Sequence, residues 1–99
     1  MSVELVITAD ADRDITEAFS WYEDQRAGLG EEFLTCLDAS LQGLKRMPEM
    51  HAVAYRTFRR ALVRRFPYAV FYEFEDERVV VYSVFHTAQD PGKWRRRLQ

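Results

Sequence analysis

The stretch RVVVYSVFH, Arg78–His86, restricts this chain more than any other. It is β-branched and aromatic, as strands prefer. It is also apolar at both parities: Val79, Val81 and Phe85 fall on one, Val80, Tyr82 and Val84 on the other. Successive strand residues point to opposite faces of a sheet, so this strand is predicted to be central and covered on both sides. The rest of the chain must supply a layer for each face, or leave an apolar patch that marks a partner site.

One layer is legible upstream. In ADADRDITEAFSWYEDQRAGLG, Asp10, Asp12 and Asp14 crowd the expected first turn of a helix, where the helix dipole favours anions. Ile15, Ala18, Phe19 and Tyr22 recur on one helical face, and Gly28 is the expected C-cap. Gly30 then opens a second helix, with Glu31 and Glu32 in its first turn and the stripe Phe33, Leu37, Leu41, Leu44. Pro48 stops it. So short a connector implies an antiparallel hairpin.

The remaining segments read as strands. VELVIT (Val3–Thr8) alternates and is β-branched. RRALVRRF (Arg59–Phe66) and YAVFYEFE (Tyr68–Glu75) precede the last strand, separated by Pro67, which belongs at a strand start or edge. EDE (Glu75–Glu77) makes a tight turn into Arg78. The predicted fold is α+β: an N-terminal strand, then an antiparallel helical hairpin packed on a mostly antiparallel sheet, in the order β-α-α-β-β-β.

A chain of 99 residues is expected to form one domain, residues 1–99, without disulfide staples. The N-terminus, MSVELVITADADRD, has neither a basic start nor an apolar core, so no signal peptide is expected. Its apolar runs are of strand length, and no membrane span is expected. The one cysteine, Cys36, falls on the hairpin's core face and reads as a buried, inert thiol in a cytoplasmic protein. There is no Walker loop, no C-x-x-C and no H-E-x-x-H. His51 and His86 lie in different elements, with no carboxylates at telling spacing, so neither metal nor cofactor is expected.

The net charge of −2 hides an asymmetry. Residues 1–49 hold eleven acids and four bases; residues 50–99 hold ten bases and five acids. Twelve of the fourteen bases are arginine, whose planar fork suits carboxylates and phosphates. Arg59, Arg60, Arg64 and Arg65 flank the apolar ALV. On a continuous strand, Arg60 and Arg64 project to one face and Arg59 and Arg65 to the other. They are read either as charges that protect a sheet edge or as a cradle for an anionic partner. Tyr68, Tyr72 and Tyr82 are further candidate contacts, able to stack on bases or to serve as half-buried core. Trp94, in GKWRRR, either docks a partner or pins the C-terminal turn onto the core, the second being favoured.

RRFPYAVFYEFEDERVVVYSVFHTAQDP, preceded by ADRDITEAFSWYEDQRAGLGEEF, resembles the RelE/ParE toxin superfamily of bacterial type II toxin–antitoxin modules. The resemblance covers nearly the whole chain and implies a helical hairpin against an antiparallel sheet, with an antitoxin as protein partner. In the messenger-RNA-cutting branch an arginine precedes a Tyr-x-Val strand, which here matches Arg65, and some members end the last strand in a histidine, which matches His86. The tyrosine such enzymes use nearby is replaced by Thr87, and the chain has only Lys45 and Lys93 as lysines. The ParE-like branch, which poisons DNA gyrase, often shows His-x-x-Arg-Asp-Pro after that strand; here it is His86-Thr87-Ala88-Gln89-Asp90-Pro91, with glutamine for arginine.

The favoured expectation is therefore a ParE-like toxin acting by binding gyrase, neutralised by an antitoxin contacting Arg59, Arg60, Arg64, Tyr68, Tyr72 and Trp94. Two alternatives stand beside it. One is a ribosome-dependent endoribonuclease, with Arg65 clamping phosphate and His86 moving the proton. The other is an inactive relative that keeps only antitoxin binding. On the favoured view His86 is structural, fixing its turn through Asp90 or a backbone carbonyl. A homodimer, or a hetero-oligomer with the antitoxin, is the expected assembly.

Overall fold

The computed structural model describes residues 2–99. Its elements in order are β1 (Glu4–Ile7), α1 (Ala9–Gln25), α2 (Leu29–Arg46), β2 (Val53–Tyr55), β3 (Phe58–Leu62), β4 (Tyr68–Glu75), β5 (Arg78–His86) and α3 (Pro91–Arg97). They form one sheet, ordered β1-β5-β4-β3-β2, in which only β1 and β5 run parallel.

The hairpin forms where the apolar spacing placed it. Thr8 caps α1 by accepting the Ala11 N–H at 3.2 Å. Phe33, Leu37, Leu41 and Leu44 are all buried on α2 and, with Ala18 and Tyr22 of α1, cover one face of the sheet. The turn between the helices differs from expectation. Arg26, not Gly28, closes α1 by donating to the Tyr22 carbonyl, and Gly28 instead precedes α2 with φ +89°, which a glycine adopts without penalty. Gly30 lies inside α2, where a Cβ would stand 2.7 Å from the Phe19 ring; its absence lets the helices approach. Cys36 is half-buried rather than buried.

Four further differences appear. The predicted strand Arg59–Phe66 stops at Leu62, because Val63 donates to the Tyr68 carbonyl and Arg65 takes φ +72°, which no strand accommodates. A short edge strand, β2, was not anticipated. Nor was the helix at the C-terminus: Asp90 accepts the Gly92 N–H and Pro91 occupies the first turn, so the expected break is a helix start. Finally, β5 does not keep one parity. Val81 pairs with Tyr72 and Ser83 with Phe71, leaving Tyr82 as an extra residue in a bulge. Beyond it the faces exchange: Val84 joins Val79 and Val81 against the hairpin, and Phe85 joins Tyr82 on the opposite side.

That opposite face is covered by α3. Trp94 stacks on Phe71 with centroids 4.6 Å apart, and Leu98 is buried with Phe58, Ala69 and Phe85. Both faces of β5 are therefore covered. Its outer edge is not paired throughout, since β1 reaches only from Arg78 to Val81. Past that point the Asp14 carboxylate takes over, accepting the Val84 N–H at 3.0 Å.

Candidate functional site

Two clefts bracket the sheet end where β4 begins and β5 finishes. The first, about 200 Å³, is lined by Asp14, Glu17, Trp21, Tyr68, His86 and Gln89, among others. Tyr68 is cross-strand partner to His86, with rings 5.3 Å apart and nearly perpendicular. His86 begins a turn closed from both sides. Its N–H donates to the Gln89 side-chain oxygen at 3.1 Å, and its carbonyl accepts the Gln89 N–H at 3.0 Å. Its ring nitrogen Nδ1 accepts the Ala88 N–H at 3.0 Å. An acceptor Nδ1 requires its lone pair free, so the ring proton resides on Nε2. The partner of His86 is thus Ala88, not Asp90, which is committed to capping α3.

Asp14 lies behind this turn. It accepts from Arg97 through both oxygens, at 2.9 and 3.0 Å, besides taking the Val84 N–H. The Asp14 side chain is 8% exposed. Its carboxylate holds the Arg97 guanidinium pKa above the ordinary value. Arg97 also lies over the Phe85 ring at 4.9 Å. Asp14 was expected to serve the helix dipole; its work is instead to join α1, β5 and α3.

The second cleft, about 420 Å³, lies between α2 and the β3–β4 loop, residues 63–67. Arg46, Arg64 and Arg65 line it with Cys36 and Ala39. Arg65 reaches Glu32 at 3.7 Å. Burial of Phe66 against Tyr22 and Phe33, with ring centroids 5.0 and 5.5 Å apart, fixes the loop that carries both arginines.

The candidate residues do not form one surface. Arg64 and Arg65 are together, at the second cleft; Tyr68 and His86 are together, at the first. Arg65 and His86 line different clefts. Arg59 turns inward and donates to the Glu49 and His51 carbonyls. Arg60 is exposed, on the α3 face beside Phe71 in register. Tyr72 is fully buried, and its hydroxyl donates to the Pro48 carbonyl at 2.8 Å, so it is part of the core. Burial pushes its phenol pKa up. Trp94 is half-buried on Phe71 and Tyr55, where it pins α3. Arg46, at the α2 C-terminus, was missed, because it lies 18 and 19 positions from Arg64 and Arg65, the arginines it joins. Among the described residues no cluster of ligating side chains could hold a metal ion, and no helix is long and apolar enough to cross a membrane.

Residues 5–91 match the family model described as the ParE toxin of the type II toxin–antitoxin system parDE. No curated protein matches the sequence. Among solved structures the fold is similar to a chain of the chromosomal ParDE toxin–antitoxin system from P. aeruginosa, with TM-score 0.76 at 11% identity over 85% of this chain and 95% of that one. It is similar also to a chain of the toxin–antitoxin complex RelBE2 from Mycobacterium tuberculosis, with TM-score 0.63 at 22% identity over 87% and 99%. A mutant of the E. coli toxin RelE in the free state gives TM-score 0.60 at 19% identity over 99% and 96%.

Proposed function

The chain belongs to the ParE toxin family of type II toxin–antitoxin systems, and from that premise we propose that it inhibits growth by binding DNA gyrase. In this reading a cognate antitoxin holds the toxin until it is lost. Similarity to chains taken from the ParDE system and the RelBE2 complex supports a protein partner of that kind.

The observation that supports binding rather than catalysis is the separation of Arg65 from His86. Histidine-assisted cleavage of a phosphodiester requires a charge beside the histidine to stabilise the phosphate. His86 lines one cleft and Arg65 the other, and among the described residues no arginine lines the cleft that holds His86. Gln89, which stands where the resemblance to the ParE-like branch implies arginine, is bonded within the turn that His86 begins.

Two assays on the purified protein test the proposal: supercoiling by gyrase, and cleavage of transcripts in a translating extract. Loss of supercoiling with intact transcripts is the expected result. Cleavage of transcripts overturns it in favour of an endoribonuclease. Failure of both, with normal growth on induced expression, overturns it in favour of an inactive relative.

A further inference from the structure

The second cleft gathers arginines, and the first has none in its lining among the described residues. Arg46, at the end of α2, and Arg64 enter no ion pair among the described residues; Arg65 meets only Glu32, which also takes Arg26. Three arginines therefore line one cleft, and among the described residues Glu32 is the one carboxylate paired with any of them. Their spacing is held by structure: Val63 is buried and bonded to the Tyr68 carbonyl, Phe66 is packed on Tyr22 and Phe33, and Tyr68 donates to the Phe66 carbonyl at 2.8 Å. Arg64 and Arg65 hang between these anchors, with Arg65 in a left-handed backbone conformation, a strain that persists only where neighbours impose it. Thr35, Cys36, Ala39 and Ser40 of α2 form the floor beneath, with Cys36 and Ala39 as its apolar part.

We propose that this cleft receives an acidic stretch of the antitoxin, its carboxylates on Arg46, Arg64 and Arg65 and one apolar side chain on the Cys36–Ala39 floor. The proposal rests on the reading that an antitoxin holds this chain. Charge complementarity favours carboxylates, and arginine binds them in two-pronged fashion. An apolar side chain covering Cys36 and Ala39 removes their exposed surface from water and adds affinity, while the arginine rim sets encounter rate and orientation. Single-stranded nucleic acid fits less well, because its bases need aromatic platforms and no aromatic side chain lines this cleft.

Cys36 is the only cysteine of the chain and lies on that floor, so its thiol reports on the cleft directly. In the free protein, its rate with dithiobis(nitrobenzoate), a dianion, is compared with its rate with neutral dithiodipyridine. The ratio should fall by about fivefold in Arg46→Gln/Arg64→Gln, and should fall likewise in wild type near 1 M salt, where charges beyond about 3 Å are screened. An unchanged ratio overturns an anion-attracting cleft. The protein of the adjacent reading frame is then added. Loss of Cys36 reactivity in the complex, relieved by Arg46→Glu/Arg64→Glu with slower association, is the expected result. A complex that forms while Cys36 reacts at its free rate overturns the docking site and leaves the toxin reading intact. Absence of any complex overturns the antitoxin reading itself. Equal protection by a single-stranded RNA oligonucleotide, or protection on self-association without a partner, overturns the acidic peptide as occupant.

Discussion

Asp14 and Arg97 lie 83 positions apart and meet in a two-pronged ion pair, 2.9 and 3.0 Å, on the outer edge of β5 just where β1 runs out. Asp14 also accepts the Val84 N–H, so one carboxylate joins the first long helix, the last helix and the strand between them. Asp14→Ala leaves a partly buried guanidinium and a backbone donor without partners, and should cost about 3 kcal/mol. Arg97→Ala leaves the bond to Val84 and should cost less, about 1–2 kcal/mol. Urea denaturation checks both; equal and negligible losses would show that the pair does not support the fold.

The hairpin's closest approach gives a second prediction. Alanine favours a helix over glycine by about 1 kcal/mol, so Gly30→Ala would stabilise an isolated α2. In the folded chain the added Cβ lies 2.6 Å from Glu23 Cγ and 2.7 Å from the Phe19 ring. It also disturbs Glu23, whose carboxylate accepts the Gly30 N–H at 2.8 Å. Overpacking should win, with a net loss of about 1–3 kcal/mol. A raised denaturation midpoint would mean that the helices separate without cost.

Alkaline pH gives a third. Burial raises the phenol pKa of Tyr22, Tyr68 and Tyr72 above the ordinary 10.0. The folded state therefore keeps protons that the unfolded chain loses. Stability from this source is complete below pH 10.0 and declines as pH rises through the folded values. Tyr72→Phe forfeits the bond to Pro48, about 1 kcal/mol near neutrality. It should also flatten the alkaline decline, as read from denaturation midpoints across the alkaline range. A decline as steep as that of wild type would exclude Tyr72 as a source.

The hairpin was legible because its signal is local. Phe33, Leu37, Leu41 and Leu44 recur at helical spacing and are buried, and the apolar faces of β5 did require two layers. The second layer was hidden by the double meaning of Asp90-Pro91, a break in one context and a cap with a proline in the first turn in another. The parity of β5 could not be followed beyond Tyr82, because a bulge leaves no mark on a period of two. The arginines misled for a related reason. Alternation assigns faces only while the chain stays extended, and at Arg65 it does not. That Arg46 joins Arg64, or Asp14 joins Arg97, is a product of the tertiary fold and leaves no periodic trace.

The last prediction concerns His86. Its Nδ1 holds the Ala88 N–H and so shapes the turn that leads into α3. Asparagine places its carbonyl oxygen near the position of that nitrogen, so His86→Asn should preserve the turn, whereas His86→Ala should cost about 1 kcal/mol. If the ring is only a turn-former, His86→Asn should keep growth inhibition and gyrase inhibition close to wild type. The alanine variant should then lose activity only as far as it loses stability. If the ring moves a proton, asparagine serves no better than alanine, because neither supplies a titratable group. Both variants should then lose roughly a hundredfold or more in transcript cleavage while their denaturation midpoints differ. The comparison turns on asparagine: retained toxicity assigns His86 to structure, and toxicity lost from a stable His86→Asn protein assigns it to catalysis.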